Sequence, residues 1–464
     1  MKQWLPILIA LAPTYLVRLS IGGIPTTLFE LLIYGTVLVA VLRSQSKQRT
    51  ANSEQLSRPW LIGLGLILIG AIVGVAVSLD TRVALGEIKG FLVDPLLVGW
   101  LVLRYLDADD LPVLLGGYVV SAAIVSLVSL GGWLAGASWA VAGDGRLLGL
   151  YGLEANANPN YLAFWIAPAV AIGIAWIGTG WFKNQESRIK NQTISKHQDL
   201  KVQGFPSELT IKSSLSLGLL ILDSSGRWFL NPWLVTAATV VSAGALIGTQ
   251  SRAGMAAALV AGGLALVAYY RSTLVELRYA QGLGWIILIG LVAFGAALTQ
   301  PNYSLSPEAG GRITTSNNIR WDIWRTTGEL LGNDTAWLTG LGVGSYQTKF
   351  DALTKDRVNY SAYITPRAYS PHNLWLNTWV NLGLAGVVGL TLLLILAIRS
   401  LYQHEPTHRA TLLIALLATI LIQGLVDSPA WKNDTSVLLW LAICGAFVLE
   451  RLPEANRAAK LKRS

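Results

Sequence analysis

Two short polar motifs in this apolar chain hold the residue types that phosphate and acid–base chemistry require. The first is Thr249-Gln250-Ser251-Arg252-Ala253-Gly254, wedged between two apolar stretches. The gap is so short that Arg252 must lie at a membrane face. A guanidinium there can hold a phosphate bidentately and keeps its charge in a low-dielectric site. An interfacial arginine snorkelling to lipid headgroups gives the same pattern. The second is Ser370-Pro371-His372-Asn373-Leu374-Trp375-Leu376-Asn377, followed by Asn381-Leu382-Gly383-Leu384-Ala385-Gly386. A histidine such as His372 can accept a proton from a hydroxyl. A histidine beside a proline also serves as a cap or an interfacial residue.

Three further constellations follow the same logic. Arg320-Trp321-Asp322-Ile323-Trp324-Arg325 places Arg320 and Trp324 four apart, on one helix face, and Gly340-Leu341-Gly342-Val343-Gly344-Ser345 permits a tight turn whose amides could face a phosphate. An ordinary loop turn has the same glycine pattern. Asp144-Gly145-Arg146-Leu147 precedes Asn156, Asn158, Pro159 and Asn160, while Asp427-Ser428-Pro429 is followed by Lys432 and Asn433. Local evidence alone reads both of these as solvated loops. Asp107-Ala108-Asp109-Asp110 has the look of a metal-holding DxD, but Asp109 or Asp110 capping the helix that starts at Leu111–Pro112 accounts for it more simply. No metal is expected.

The elements that must position these residues are membrane helices. The 464 residues are 53% hydrophobic and only 13% charged, with a mean hydropathy of +0.51, about half the charge a water-coated surface carries. Apolar stretches near 5–20, 25–42, 60–78, 91–103, 112–134, 161–181, 232–249, 253–269, 283–299, 375–398, 410–426 and 435–449 predict an all-α polytopic membrane protein of about twelve spans. The stretch 91–103 is short and could begin earlier, despite Glu87, Lys89 and Asp94. The run Leu215–Leu222 is too short to span and reads as interfacial. The N-terminal run reads as a retained anchor, because it lacks a small-residue cleavage site. One cysteine and four histidines leave no Cys/His zinc cluster, and no GxxxxGK[ST] phosphate loop, repeat or low-complexity tract is present. The chain 1–464 therefore reads as one integral membrane domain.

The net charge of +9 records orientation rather than nucleic-acid binding. Basic residues concentrate in 43–59, in 182–213 and in the C-terminal tail, which become cytoplasmic together if both termini lie inside. That topology leaves one conspicuous outer segment, 300–374, with turn-forming residues at its start and an amphipathic helix over Ile319–Leu331 anchored by Trp321, Trp324 and Leu331. Arg146, Arg252, Arg312, Arg320, Arg325, His372 and Asp427 all fall on the outer face, where His372 is the one histidine. Arginines around a histidine suit a diphosphate leaving group, whose growing negative charge they stabilise. Without a nucleotide motif, a lipid-borne diphosphate sugar is the natural donor there.

The ordered set of motifs resembles the O-antigen ligase and O-antigen polymerase superfamily of bacterial inner-membrane glycan enzymes. The resemblance rests on Ser251-Arg252-Ala253-Gly254, Arg320-x-x-x-Trp324, Gly340-x-Gly-x-Gly344, Pro371-His372-Asn373 and Asn381-x-Gly383-x-x-Gly386. Arg146-Leu-Leu-Gly149 and Pro159-Asn160-Tyr-Leu-Ala163 extend it over 146–434. It implies a GT-C-like glycosyltransferase with the long periplasmic loop as a lid, an undecaprenyl-diphosphate-linked glycan donor, and a glycan or lipid A-core acceptor. No cofactor and no nucleic acid enter the reaction. It further implies His372 as general base, with Arg252 and Arg320 on the diphosphate. Arg146, Asn160, Asn373 and Asp427 are supporting binding residues, and Arg312 and Arg325 compete with Arg320 for the loop role. Two other readings stay open on sequence: a polymerase whose acceptor is a second lipid-linked repeat unit, and a small-solute transporter with Glu87, Lys89 and Asp94 along its path.

Overall fold

Prolines and short polar side chains set where the helices begin. In the computed structural model, which describes residues 1–22, 24–45, 57–154, 157–180, 227–276, 316–355, 368–403 and 407–451, Asn158 caps the helix that Pro159 opens, its side chain accepting from the Asn160 amide at 2.9 Å. Asn231 does the same ahead of Pro232, accepting from the amides of Trp233 and Leu234. Proline at the first helical position loses nothing, since its missing N–H would be unpaired there anyway.

The helices in chain order are α1 (Trp4–Ala10), α2 (Leu28–Gln45), α3 (Arg58–Ala76), α4 (Thr81–Ile88), α5 (Asp94–Tyr105), α6 (Leu111–Leu134), α7 (Pro159–Gly178) and α8 (Pro232–Gly248). They continue with α9 (Arg252–Glu276), α10 (Ser316–Leu331), α11 (Ala336–Thr339), α12 (Tyr346–Thr354), α13 (Leu374–Gln403), α14 (His408–Gly424) and α15 (Asn433–Glu450). Among the described residues, six helical segments are long and apolar enough to cross a membrane, and α8 and α14 are shorter apolar helices. The architecture is that of an all-α membrane protein.

Small residues bring the helices together, as expected where lipid removes the hydrophobic drive for association. Along the α3–α13 seam, a Cβ on Gly74 would lie 2.1 Å from the Asn381 carbonyl and one on Gly70 2.5 Å from that of Leu382. Helix α15 packs against α5 and α13, and α7 packs against α8, α9 and α14. Helices α10 to α12 form a separate cap with its own small core of Ile323, Leu330, Leu331, Leu341, Tyr346 and Phe350, closed by Ala368 and Val380.

Several sequence expectations need correction. The stretch 5–20 is not one helix: α1 ends at Ala10, a 3-10 turn over Ala12–Leu16 holds Pro13 at its start, and Arg18–Ile21 pairs antiparallel with Ile24–Thr27. The stretch 91–103 does begin earlier, because a π-helical turn over Lys89–Val93 joins α4 to α5. Neither Asp109 nor Asp110 caps α6 with its side chain. Instead Asp110 accepts from the Asp107 amide at 2.8 Å, both pair with Lys2, and Asp109 pairs with Arg409. In α10 Leu331 is buried with Ile323 and Leu330 and Trp324 packs against them, whereas Trp321 is exposed and meets Trp324 edge to face. The expected span at 283–299, the interfacial run 215–222 and the basic segment 182–213 lie outside the described residues.

These contacts also sort the bundle into two ends. Lys2 meets Asp107 and Asp110, Arg451 donates to the Leu103 carbonyl at 2.9 Å, and Trp60 donates to Glu450 at 3.0 Å. The N-terminus and the end of α15 therefore share one end. The loops that start α7, α9, α13 and α15 gather at the other.

Candidate active site

The turn before α13 is held from three sides. Asn373 caps the helix, its carbonyl oxygen accepting from the Leu376 amide at 3.0 Å, while its NH2 donates to the Leu425 carbonyl at 2.9 Å. Trp324 of α10 donates its indole N–H to the Pro371 carbonyl at 2.9 Å. Between them His372 takes φ 49°, a left-handed conformation that a non-glycine residue keeps only where its surroundings impose it. Two of the flanking residues named from sequence thus act as structure. Asn373 uses its side chain on backbone groups, and Trp324 ties the cap to the histidine turn.

His372 Nδ1 lies 3.0 Å from Oδ1 of Asp427, in the loop between α14 and α15. Oδ2 of the same carboxylate accepts from Nδ2 of Asn160, in the first turn of α7, at 3.2 Å. The Ser428 amide donates to Oδ1 at 3.0 Å. Asp427 is buried rather than solvated, correcting the loop reading, and His372 keeps a third of its side chain exposed. Burial alone would push the Asp427 carboxyl up, but the His372 ring, the Arg320 guanidinium and the Ser428 amide outweigh it and hold it below the usual carboxylate range. An ionised carboxylate on Nδ1 keeps the proton on that nitrogen and leaves Nε2 as the acceptor.

The arginines separate by position. Arg320 lies close enough for its charge to act on Asp427. Arg325 is an exposed surface residue whose Nε sits 3.6 Å from Glu329. Arg312 lies outside the described residues. Arg146 is paired with Asp144 at 2.7 Å in an exposed turn, tied to the bundle through the Leu147 amide and the Gly248 carbonyl at 2.9 Å. Arg252 is exposed at the start of α9, where Ser251 Oγ accepts from the Gly254 amide at 3.3 Å. A Cβ on Gly254 would lie 3.1 Å from Ala163, one turn beyond Asn160 on α7. Arg252 and Asn160 therefore share an end of the bundle, but no hydrogen bond among the described residues links Arg252 to the His372 cluster.

The glycine turn does not present a phosphate cradle. Gly340, Gly342 and Gly344 all have positive φ, and the amides are spent on packing. Leu341 N donates to Val380 O at 2.7 Å, Val343 N to Gly74 O at 2.9 Å, and Gly344 N to the Asn381 side chain at 3.2 Å. Gly383, inside α13, also has φ 63°, and a Cβ there would lie 2.4 Å from the Leu338 carbonyl. These glycines dock the cap onto the α3–α13 seam. Two of the three charged residues considered for a solute path are also internally paired: Lys89 with Glu30 at 2.7 Å and Asp94 with the Tyr34 hydroxyl at 2.7 Å. Among the described residues no three or more His, Cys, Asp or Glu side chains are grouped as a metal site.

Residues 237–391 match the family model of O-antigen ligase. The match supports the O-antigen ligase and polymerase superfamily. The superfamily segment contains Arg252, Arg320 and His372, whereas Asn160 and Asp427 enter the cluster from outside it. A comparison with curated proteins finds no match. Lys432, named from sequence only as part of a solvated loop, is instead a largely buried cation beside this cluster. Lys432 pairs with Glu154 and sits over the rings of Tyr15, Tyr151 and Tyr161. Its closeness to Asp427 in sequence drew notice, but its pairing did not, since Glu154 and Tyr15 are remote.

Proposed function

We propose that the chain transfers a glycan from an undecaprenyl-diphosphate carrier to an acceptor hydroxyl, lipid A-core or a related glycan, on the periplasmic face of the bacterial inner membrane. The observation that carries this reading is the Asp427–His372 pair, 3.0 Å apart, with Arg320 acting on the same carboxylate. His372 Nε2 takes the proton from the acceptor hydroxyl as its oxygen bonds to the anomeric carbon of the donor sugar. The bond from that carbon to the diphosphate breaks, and the lipid diphosphate leaves with the electron pair. Asp427 steadies the imidazolium that forms, and Asn160 holds Asp427. Arg320, with Arg252 at the same end, offsets the charge growing on the leaving diphosphate. Both termini are then cytoplasmic, in keeping with their shared end and with the basic segments.

The test is glycan transfer in membranes carrying His372→Ala, Arg320→Ala or Arg252→Ala. Loss of transfer with normal protein abundance is expected in each, and full activity in His372→Ala and Arg252→Ala overturns the reading. Gel analysis of a strain lacking the protein identifies the acceptor. Long unattached polymer marks a lost ligase, and a single repeat on core marks a lost polymerase.

A further inference from the structure

Lys432 and Glu154 are a buried ion pair that the transfer reaction does not use. Their side chains are only 12% and 8% exposed. Such a pair adds little net stability over apolar residues of the same size, because desolvating two charges offsets their attraction. Its geometry points to a positional role. The ammonium lies 4.7, 5.2 and 4.2 Å from the ring centres of Tyr15, Tyr151 and Tyr161. Tyr15 comes from the N-terminal 3-10 turn, Tyr151 and Glu154 from the segment before α7, and Tyr161 from the first turn of α7. The Tyr15 hydroxyl also meets Glu154, and that of Tyr151 meets Asp434.

Two of these contacts lead straight to the catalytic pair. Lys432 closes the turn that Asp427 opens, a turn tightened by the Trp431 amide on the Ser428 carbonyl at 3.1 Å and by the Thr435 hydroxyl on the Pro429 carbonyl. Tyr161, the ring nearest Lys432, adjoins Asn160, which holds the other oxygen of Asp427. One ammonium thus joins the two elements that place the carboxylate.

We propose that Lys432, caged by Tyr15, Tyr151 and Tyr161 and paired with Glu154, is a positioning residue that fixes Asp427 on His372. The inference rests on the transferase reading above for its kinetic part only. The charged and titratable groups facing the pair are Glu154, Asp434 and the three tyrosines around Lys432, and His372 and Arg320 around Asp427.

The test uses the full-length protein in liposomes, with Lys432→Met, Asp427→Asn and the double variant. Glycan transfer is followed against pH, and the His372 imidazole is titrated by NMR of labelled histidine, assigned with His372→Gln. Lys432→Met is expected to lower kcat about tenfold with donor KM within about twofold. It should also move the His372 titration downward by about half a unit to one unit, the direction set by weakening its anionic partner. In the Asp427→Asn background the same change should cost less than about twofold, because its effect runs through the missing carboxylate. An unmoved His372 titration, or an equal loss in both backgrounds, overturns the proposal. If Lys432→Met does not accumulate, Lys432→Met with Glu154→Gln removes both charges and is judged by the same titration. A shifted titration with full transfer in His372→Ala overturns the transferase reading and leaves the positioning role standing.

Discussion

Replacing Asp427 with asparagine removes one charge from the centre of the site while keeping its shape. In the native protein Oδ1 lies 3.0 Å from His372 Nδ1. Two unit charges about 4 Å apart attract by about 4 kcal/mol at an effective dielectric near 20. The imidazole is 33% exposed, so solvent screening reduces this to about 1 kcal/mol. His372 must be neutral to act as a base, so the rate falls on the acid side as it protonates. Without the carboxylate the imidazolium is less stabilised, and that acid limb moves to lower pH. The asparagine NH2 can also donate to Nδ1, which drives the proton to Nε2 and blocks the nitrogen that faces the acceptor. Because general-base catalysis is worth about 10²–10⁴-fold, kcat should drop at least about 10²-fold at neutral pH while donor KM changes little. The assay is initial-rate glycan transfer from pH 5 to 9 in proteoliposomes. An unchanged kcat with the acid limb in its native place would refute the assignment of Asp427 as the partner of the base.

Arg320→Ala is expected to lower kcat/KM about 10²-fold, the usual effect of losing one charge-stabilising donor. Arg325→Ala, whose guanidinium is 82% exposed beside Glu329, should change it less than about twofold, so equal losses would remove Arg320 from its special place. Gly383→Ala combines a left-handed backbone with a Cβ 2.4 Å from a carbonyl oxygen and should cost about 2–4 kcal/mol, read as a lower melting temperature in detergent. Because Asp427 titrates below its ordinary value in the folded protein, its stabilisation is present above the unfolded pKa of about 4 and is lost as pH falls through the folded value. The fall in melting temperature on acidification below pH 4 should accordingly be smaller in Asp427→Asn than in the native protein.

The helices were the most legible part of the chain, since apolar runs bounded by Asn158-Pro159 or Asn231-Pro232 carry both the drive to bury and the signal to start. The first run was not, because Pro13 interrupts hydrogen bonding inside a segment whose composition stays apolar throughout. His372 stood out by type and place. Asp427 was named as a supporting residue, but its burial and its pairing with the histidine were not legible, since an Asp-Ser-Pro loop between helices is ordinarily solvated and the partners are a histidine 55 positions away and an asparagine 267 away. The glycine triplet misled for a related reason. A tight turn was the correct reading for Gly340, Gly342 and Gly344, all of which have positive φ, but sequence does not say whether the freed amides meet a ligand or a neighbouring helix. Arg320 and Arg325 are equivalent in type, and only the winding of α10 separates one that acts on Asp427 from one that meets water.

The proposed catalytic pair is split between two carriers. His372 stands at the head of α13, tied through Trp324 to the cap, whereas Asp427 hangs from the loop between α14 and α15 and is braced by α7. A base built this way works like a two-key lock. Its full strength exists only while cap and bundle are seated together, since a hydrogen bond of 3.0 Å does not survive a shift of about an ångström. The seating is itself recorded in glycines, at Gly340 and Gly383, where backbone meets backbone with no side chain between. Under the proposed mechanism, proton abstraction by His372 therefore requires the cap and the bundle to be seated together.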